Sequence, residues 1–184
     1  MCGISLILKK KKKINLNTTI NNMMSALSHR GPDGRHNWIN EEMGVAIGHN
    51  RLSIIDLSIN GRQPIQSQGN RYIISYNGEI YNFHKLKKII DEKFKINWLG
   101  HSDTEVLINY IELFGLDHAL DIIDGMYSFI LLDRKLNKIF LVRDRFGEKP
   151  MFYYKDNNLF AAASEIKSIL SIGGANVFST ISFC

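Results

Sequence analysis

The sequence predicts an α+β fold in which mainly antiparallel sheets carry helices on their faces. Strand-like apolar segments follow one another across four-residue polar loops, as in hairpins, and helical patterns are fewer than strand patterns. At 184 residues the chain is long enough to bury a substantial core, and its 45% hydrophobic and 22% charged residues are typical of a globular domain. We therefore expect one domain over residues 1–170 and an irregular tail over residues 171–184.

The N-terminal half begins with an apolar strand, ISLIL at residues 4–8, which ends at the lysine run 9–13. A helix is predicted next, with Asn17 or Thr18 as its N-cap. Its apolar side chains recur at helical spacing: Ile20, Met23, Met24 and Leu27. After the glycine- and proline-containing break HRGPDGR, two short strands are expected in MGVAIGH and RYIISY.

The C-terminal half contains clear signals for helix ends and hairpins. A helix is predicted over FHKLKKII, and the capping box SDTE, Ser102–Glu105, begins a second helix that ends at Gly115. Two hairpins are expected across the loops RKLN and KDNN. A short last helix is predicted to start at Ser164.

Charge and hydropathy exclude several classes of function. The formal net charge is +5, but the lysine run 9–13 supplies all of it, and no aromatic residues alternate with these lysines as a nucleic-acid surface would require. The apolar runs are too short to span a bilayer, and no basic segment precedes the first one as in a secretory signal. We therefore expect a cytoplasmic protein that binds neither nucleic acid nor membranes.

Cys2 is one of two cysteines, and three interpretations of it compete. It is a structural thiol at a strand end, half of a disulfide with Cys184, or a nucleophile exposed by loss of Met1. A reducing cytosol argues against the disulfide, and no metal-ligand spacing is present. Loss of Met1 would give Cys2 a free α-amine, which titrates at about pH 7.7–8.0 and is able to take the proton of the thiol. Position alone leaves the structural and the nucleophilic interpretations open.

Asn77 and Gly78 follow a predicted strand in YNGEIYN, where Asn-Gly most often forms a plain turn. The same pair also suits an oxyanion, because an asparagine amide and a glycine N–H are the two donors that acyl transfer needs. Glycine in addition lets the backbone approach a substrate closely. Spacing alone does not choose between the turn and the oxyanion site.

Three charged residues suit a free amino acid as ligand. Arg51 follows a predicted strand, where arginine is usually a surface residue, but its guanidinium also forms paired hydrogen bonds with carboxylates. Asp103 follows the cap residue, where an acidic side chain either complements the helix dipole or faces a substrate ammonium. With Glu79, these residues permit a thiol acyl-transferase that acts on an amino acid, without demanding it.

Eight segments, in order from Met1 to about residue 170, resemble one known family: MCGI, RGPDG, RLSIIDLS, QPI, YNGEIYN, SDTEVL, DGMYSFILLD and RDRFGEKP. They look like the glutaminase domain of glutamine-hydrolysing asparagine synthetases, a class II glutamine amidotransferase. RLSI also separates the chain from glucosamine-phosphate synthases, which carry a RWAT-type stretch at this point. The resemblance implies an N-terminal-nucleophile fold, a four-layer αββα sandwich of two mainly antiparallel sheets.

The resemblance also implies roles for the candidate catalytic residues. Cys2 would attack the side-chain amide of L-glutamine with its own α-amine as base, and would release glutamate and ammonia without a metal. Asn77 and the Gly78 N–H would form the oxyanion hole. Arg30 of RGPDG would support the nucleophile end.

The substrate-binding residues follow from the same resemblance. Arg51 would hold the α-carboxylate of glutamine, and Glu79 with Asp103 would hold its α-ammonium. The pocket would also be lined by Leu52, Ser53, Ile54 and Ile55.

The family continues into an ATP-dependent synthetase domain with an SGGLDSS-type loop, and this sequence contains no such loop. We therefore expect no cofactor in this chain, since ATP and Mg²⁺ would belong to the synthetase domain, which would use the ammonia to amidate aspartate. The alternatives are an inactive, glutamine-binding relative and an ammonia donor for another acceptor, such as a sugar acid. The expected partners are L-glutamine and a separately supplied synthetase domain or subunit, with a homodimer as a further candidate.

Overall fold

The computed structural model describes residues 1–10, 14–173 and 181–183. Most of the lysine run and Cys184 lie outside these residues, so the predicted loop at the lysines and the pairing state of Cys184 are not described. None of the helices in the described ranges is long and apolar enough to cross a membrane.

Strands and helices alternate irregularly along the chain. The strands are β1 (Gly3–Lys9), β2 (Gly34–Asn40), β3 (Val45–Arg51), β4 (Ile65–Gln66), β5 (Tyr72–Ile80), β6 (Gly125–Asp133), β7 (Lys138–Arg143), β8 (Phe152–Lys155), β9 (Leu159–Ala163) and β10 (Ile181–Phe183). The α-helices are α1 (Leu16–Ala26), α2 (Phe83–Lys93), α3 (Asp103–Phe114), α4 (Leu116–Ile122) and α5 (Ile166–Leu170).

The strands form two sheets. The first has the order β10-β8-β9-β1-β3-β2 and the second β4-β5-β6-β7, and the neighbouring strands are antiparallel in both. Both predicted hairpins, β6–β7 and β8–β9, are present. The two mainly antiparallel sheets confirm the predicted fold class.

Alternation along β1 shows how the layers stack. Ile4 and Leu6 pack between the sheets with Ile73 and Ile130 of the second sheet, whereas Ile7 belongs to the cluster on the other face of the first sheet. That outer cluster contains side chains of α1 and α5. A third cluster joins the outer face of the second sheet to α2, α3 and α4. The order of layers is therefore helices, sheet, sheet, helices.

Several local predictions differ from the structure at element ends. The N-cap of α1 is Asn15, whose side chain accepts a hydrogen bond from the Thr18 N–H, and not Asn17 or Thr18. The capping box at α3 is half formed: Ser102 accepts from the Glu105 N–H, but the Glu105 carboxylate accepts from the N–H groups of Leu99 and Gly100. The loop before α3 therefore occupies the Glu105 carboxylate, which in a reciprocal capping box would accept from the Ser102 N–H.

Other differences concern segments that become strands by pairing with another strand. The polar segment GRHNWIN carried no strand signal, yet it forms β2 because its backbone pairs with β3 along seven residues. Asn77 and Gly78 lie inside β5 and not in a turn, since β5 continues to Ile80 along β6. In the tail that was predicted to be irregular, β10 pairs with β8. Pairing with another strand overrode the local signal in each case.

Candidate active site

One cavity of about 210 Å³ lies where the start of β1, the end of β3, the end of β5 and the start of α3 meet. Apart from Arg30, every residue singled out as a candidate lines it: Cys2, Arg51, Leu52, Ser53, Ile54, Ile55, Asn77, Gly78, Glu79 and Asp103. These positions span about 100 residues of sequence, so the two sheets and α3 bring them together.

Cys2 stands just before β1, and its thiol faces the backbone of Leu52. The Leu52 N–H donates to Sγ at 3.4 Å, and Sγ lies 3.6 Å from the Leu52 carbonyl oxygen. Burial raises the pKa of the thiol, and the hydrogen bond from Leu52 and the charges of the N-terminus and nearby arginines oppose that rise only in part. At neutral pH the group is therefore a thiol that needs a base before it attacks.

Arg30 fixes the backbone of Cys2. Its buried guanidinium donates from Nε to the Cys2 carbonyl oxygen at 2.8 Å and from Nη1 to Glu165 Oε1 at 3.0 Å. Burial alone would raise the pKa of Glu165, but hydrogen bonds from Arg30, His29 and Lys167 lower it to about 2. This ion pair ties the loop after α1 and the start of α5 to the nucleophile end, as expected for Arg30.

Asn77 lines the cavity and carries an unused donor. The residue is 2% exposed, and its Nδ2 atom has no hydrogen-bond partner among the described residues. Buried polar groups of folded proteins are nearly always paired, so an unpaired amide on a cavity wall indicates a group kept for a ligand. The neighbouring Gly78 is required sterically, because a Cβ there would collide with the Met126 carbonyl oxygen of β6.

Arg51, at the end of β3, organises the loop that forms one wall. Nη1 donates to the Ser58 carbonyl oxygen at 2.8 Å, and Nη2 donates to that of Asp56. Gly61 is packed against the guanidinium so closely that any Cβ would collide with it. Asp33 of the RGPDG segment accepts from the Ser53 N–H at 2.7 Å. Residues 52–61 are thereby held beside Cys2.

The two acidic candidates differ in environment. Asp103 is 4% exposed and accepts hydrogen bonds from the Tyr76 hydroxyl (3.1 Å), the Ile80 N–H (3.0 Å) and the Thr104 N–H (2.8 Å). Burial raises its pKa, and these hydrogen bonds counter that effect only in part. Glu79 is exposed at the rim. Asp103 is thus part of the fixed wall, and Glu79 is a carboxylate open to solvent.

The cavity also contains residues to which the sequence assigned no role. Gln63, Tyr76, Thr104, Met126 and Lys149 line it as well. Lys149 belongs to the segment RDRFGEKP, which contributed to the resemblance but was assigned no chemical role. The described residues contain no group of three or more His, Cys, Asp or Glu side chains arranged to hold a metal ion.

A model of the glutamine amidotransferase domain matches residues 1–179 of the chain. The chain belongs to this family. This amidotransferase domain is 38% identical over 194 residues to a putative glutamine-hydrolysing asparagine synthetase 2 of Methanocaldococcus jannaschii, covering 96% of the chain and 36% of the relative. It is 39% identical over 180 residues to asparagine synthetase 3 of Bacillus subtilis, covering 93% of the chain and 28% of the relative. The domain therefore spans about a third or less of the length of these relatives.

A solved structure shares the fold of this amidotransferase domain. The glutamine phosphoribosylpyrophosphate amidotransferase of B. subtilis, complexed with ADP and GMP, matches with a TM-score of 0.78 and 20% identity, over 100% of this chain and 44% of that one. At that identity the likeness concerns the fold alone. It supports the fold of two stacked antiparallel sheets between helical layers.

Proposed function

We propose that this amidotransferase domain hydrolyses L-glutamine to glutamate and ammonia through a thioester on Cys2. The observation that carries the proposal is the unpaired, buried Nδ2 of Asn77 on the wall of the cavity that also holds the Cys2 thiol. A nucleophile and a preorganised donor in one cavity are the two parts that acyl transfer requires. The reaction consumes one glutamine and one water and produces one glutamate and one ammonia.

In the first half of the proposed reaction, the α-amine of Cys2, freed by loss of Met1, accepts the thiol proton. An internal base suits this site because burial raises the pKa of the thiol and little thiolate exists beforehand. Sγ attacks the side-chain amide carbon of glutamine, and the oxyanion accepts hydrogen bonds from Asn77 Nδ2 and the Gly78 N–H. The ammonium of Cys2 then donates its proton to the leaving nitrogen, which departs as ammonia.

In the second half, water attacks the thioester carbonyl while the same α-amine takes its proton. The same two donors stabilise the second oxyanion. Collapse of this intermediate breaks the C–S bond, releases glutamate and returns the proton to Sγ. The Arg30 hydrogen bond to the Cys2 carbonyl oxygen holds the residue in place through both halves.

Recognition of the free amino acid is assigned to the charged wall residues. The guanidinium of Arg51 uses two of its five N–H donors on loop carbonyl oxygens, which leaves others for the substrate α-carboxylate. Glu79 and Asp103 would receive the α-ammonium, and residues 52–55 would enclose the aliphatic part. This set suits a free amino acid better than an internal peptide, which lacks both charges.

The acceptor of the ammonia belongs to the same proposal. The relatives whose names include asparagine synthetase are about three times as long as the chain or longer, so we infer that a synthetase domain or subunit normally takes the ammonia. ATP and Mg²⁺ would bind there and not in this domain. A sugar acid or another acceptor in place of aspartate would leave the glutaminase half unchanged.

Glutamate production from glutamine by the purified chain tests the proposal. The intact mass of the same sample shows whether Met1 has been removed. We expect protein without Met1 to be active and Cys2→Ala to reduce turnover by about 10⁴-fold or more with an unchanged circular dichroism spectrum. Cys184→Ala is the matched control, because it removes the other cysteine and should leave turnover intact. Full activity of Cys2→Ala would end the proposal, and glutamine binding in calorimetry without turnover would support the inactive, glutamine-binding alternative.

A further inference from the structure

The loop between β7 and β8 is wound around one buried carboxylate. Asp144 accepts hydrogen bonds from four backbone N–H groups, those of Tyr127, Phe146, Glu148 and Lys149. Arg143 adds a hydrogen bond from Nε to the Lys149 carbonyl oxygen at 2.9 Å. The backbone of Lys149 is therefore held on both sides, and its side chain is directed to the cavity that contains Cys2.

Lys149 is a buried cation without a counter-ion. The residue is 9% exposed, and no carboxylate of the described residues lies within ion-pair distance of its Nζ. Within the described ranges, the one hydrogen-bond acceptor of that ammonium is Met1 Sδ, at 3.8 Å. Buried lysines are normally paired, because an uncompensated charge in a low-dielectric environment is costly. An unpaired one on the wall of a reaction cavity therefore needs a functional explanation.

The position of Met1 shows how close this ammonium lies to the Cys2 nitrogen. Met1 Sδ is 3.8 Å from Lys149 Nζ, and five covalent bonds separate Sδ from the Cys2 nitrogen. Lys149 Nζ is thus no more than about 10 Å from that nitrogen, by standard bond lengths. When Met1 is removed, the Cys2 nitrogen becomes a free α-amine within this distance of the ammonium.

We propose that the Lys149 ammonium acts through space on the Cys2 α-amine and keeps it in the free-base form near neutral pH. A neighbouring cation disfavours protonation of an amine, and the effect is large where water is partly excluded. The inference rests on the proposed function, in which that amine is the base. Lys149 is a positioning residue in this sense, since it touches neither the bond that forms nor the bond that breaks.

Two arginines act on the amine in the same direction as Lys149. Arg30, whose Nη2 also lies 3.8 Å from Met1 Sδ, is compensated by its ion pair with Glu165. Arg51 keeps its charge while it donates to loop carbonyl oxygens. The acidic groups of the surrounding elements would favour a protonated amine: Asp56 of the loop after β3, Glu79 of β5 and Asp103 of α3. Of the cationic side chains that line the cavity within the described residues, only that of Lys149 has neither a carboxylate nor a carbonyl partner.

The pH profile of kcat/KM for glutamine hydrolysis tests this role. Lys149→Met should move the acid limb upward by about one pH unit, so that activity falls by about tenfold more at pH 6.5 than at pH 9. Lys149→Arg keeps the charge and should keep the profile. Lys138→Met, which removes an exposed lysine at the start of β7, is the control for loss of net charge. A loss that is equal at every pH in Lys149→Met would assign a structural role and overturn the inference.

A titration independent of turnover separates this inference from the proposed function. Protein without Met1, labelled with ¹³C-cysteine in a Cys184→Ser background, reports protonation of the Cys2 amine by NMR. The titration midpoint should rise by about one pH unit in Lys149→Met and stay in place in Lys149→Arg. If Lys149→Met does not fold, Lys149→Gln provides the neutral side chain. An unmoved midpoint overturns the role of Lys149 even in an active enzyme, whereas absence of turnover with a moved midpoint refutes only the glutaminase.

Discussion

The two ends of the β5–β6 pair differ in whether the buried polar groups near them have partners. At one end, Asp133 is 1% exposed and fully paired: Arg71 reaches both of its oxygens, with a shortest N···O distance of 2.6 Å, and the N–H groups of Lys135 and Leu136 donate to it. At the other end, Asn77 Nδ2 and the ammonium of Lys149 are buried without such partners in the described part of the chain.

This difference separates groups that hold the fold together from groups that are available for chemistry. At Asp133, burial raises the pKa, but the hydrogen bond from Arg71 and those from the turn bring it below its usual value. The ion pair therefore joins the start of β5 to the β6–β7 turn. At the cavity, the unpaired groups contribute no comparable bond, and their desolvation is a cost that only a ligand or a reacting group offsets.

The largest effect is expected from Asn77→Ala, which should reduce kcat by about 10²–10³-fold, the usual result of removing one oxyanion donor. Because Nδ2 has no partner among the residues that the structure describes, the free energy of unfolding should change little. Steady-state kinetics with urea unfolding measures both quantities. Asn109→Ala is the matched control, since this buried asparagine of α3 is bonded through both amide atoms and lies outside the cavity. The Asn109→Ala protein should lose stability and keep its kcat. A lower kcat with unchanged stability in Asn109→Ala would contradict the comparison of the two ends.

The second effect is expected from Asp133→Ala at the paired end. It should lower the free energy of unfolding by about 2 kcal/mol, less than for a fully buried pair because Arg71 is 34% exposed and regains water. The specific activity of the folded protein should be that of the wild type. Urea denaturation followed by fluorescence measures the first quantity, and a glutaminase assay on folded protein the second. A fall in kcat/KM with unchanged stability would contradict the comparison.

The third effect concerns His49, which is fully buried between the sheets with Ser75 Oγ 3.1 Å from its Nδ1 atom. Burial lowers its pKa to about 3, so between about pH 6.5 and 3 the unfolded chain binds a proton that the folded protein does not. Stability should therefore decrease by about 1.4 kcal/mol for each pH unit below about 6. His49→Gln should flatten the dependence in urea unfolding at pH 7, 6 and 5. His118→Gln, at an exposed histidine, should retain it, and equal slopes in all three proteins would contradict the assignment.

The sequence predicted the elements with strong local signals and failed where strand pairing decided. The periodicity of the β6–β7 hairpin and the capping residue Ser102 are local, and both were found as expected. β2 has no such signal, because its residues are polar and only pairing with β3 makes it a strand. Asn77 and Gly78 were ambiguous for the same reason, since a turn and a strand differ there only in the presence of β6.

The candidate site, like the fold, was predicted in part. The resemblance selected Arg30 and ten other residues, and those ten line one cavity, while their catalytic and binding roles remain proposals. Lys149 was missed because a single lysine in a loop has no signal of its own. Its burial follows from the turn around Asp144, which no spacing rule reveals.

The sequence by itself determined the chemical inventory: a cysteine next to the first residue of an apolar strand, an Asn-Gly pair, and an arginine and two carboxylates suited to an amino acid. Tertiary structure alone decided which of these groups are paired and which face the cavity unpaired. The physical reason is that hydrogen bonding and desolvation depend on neighbours up to 148 positions apart, as between Met1 and Lys149. Those neighbours meet only when the two sheets stack.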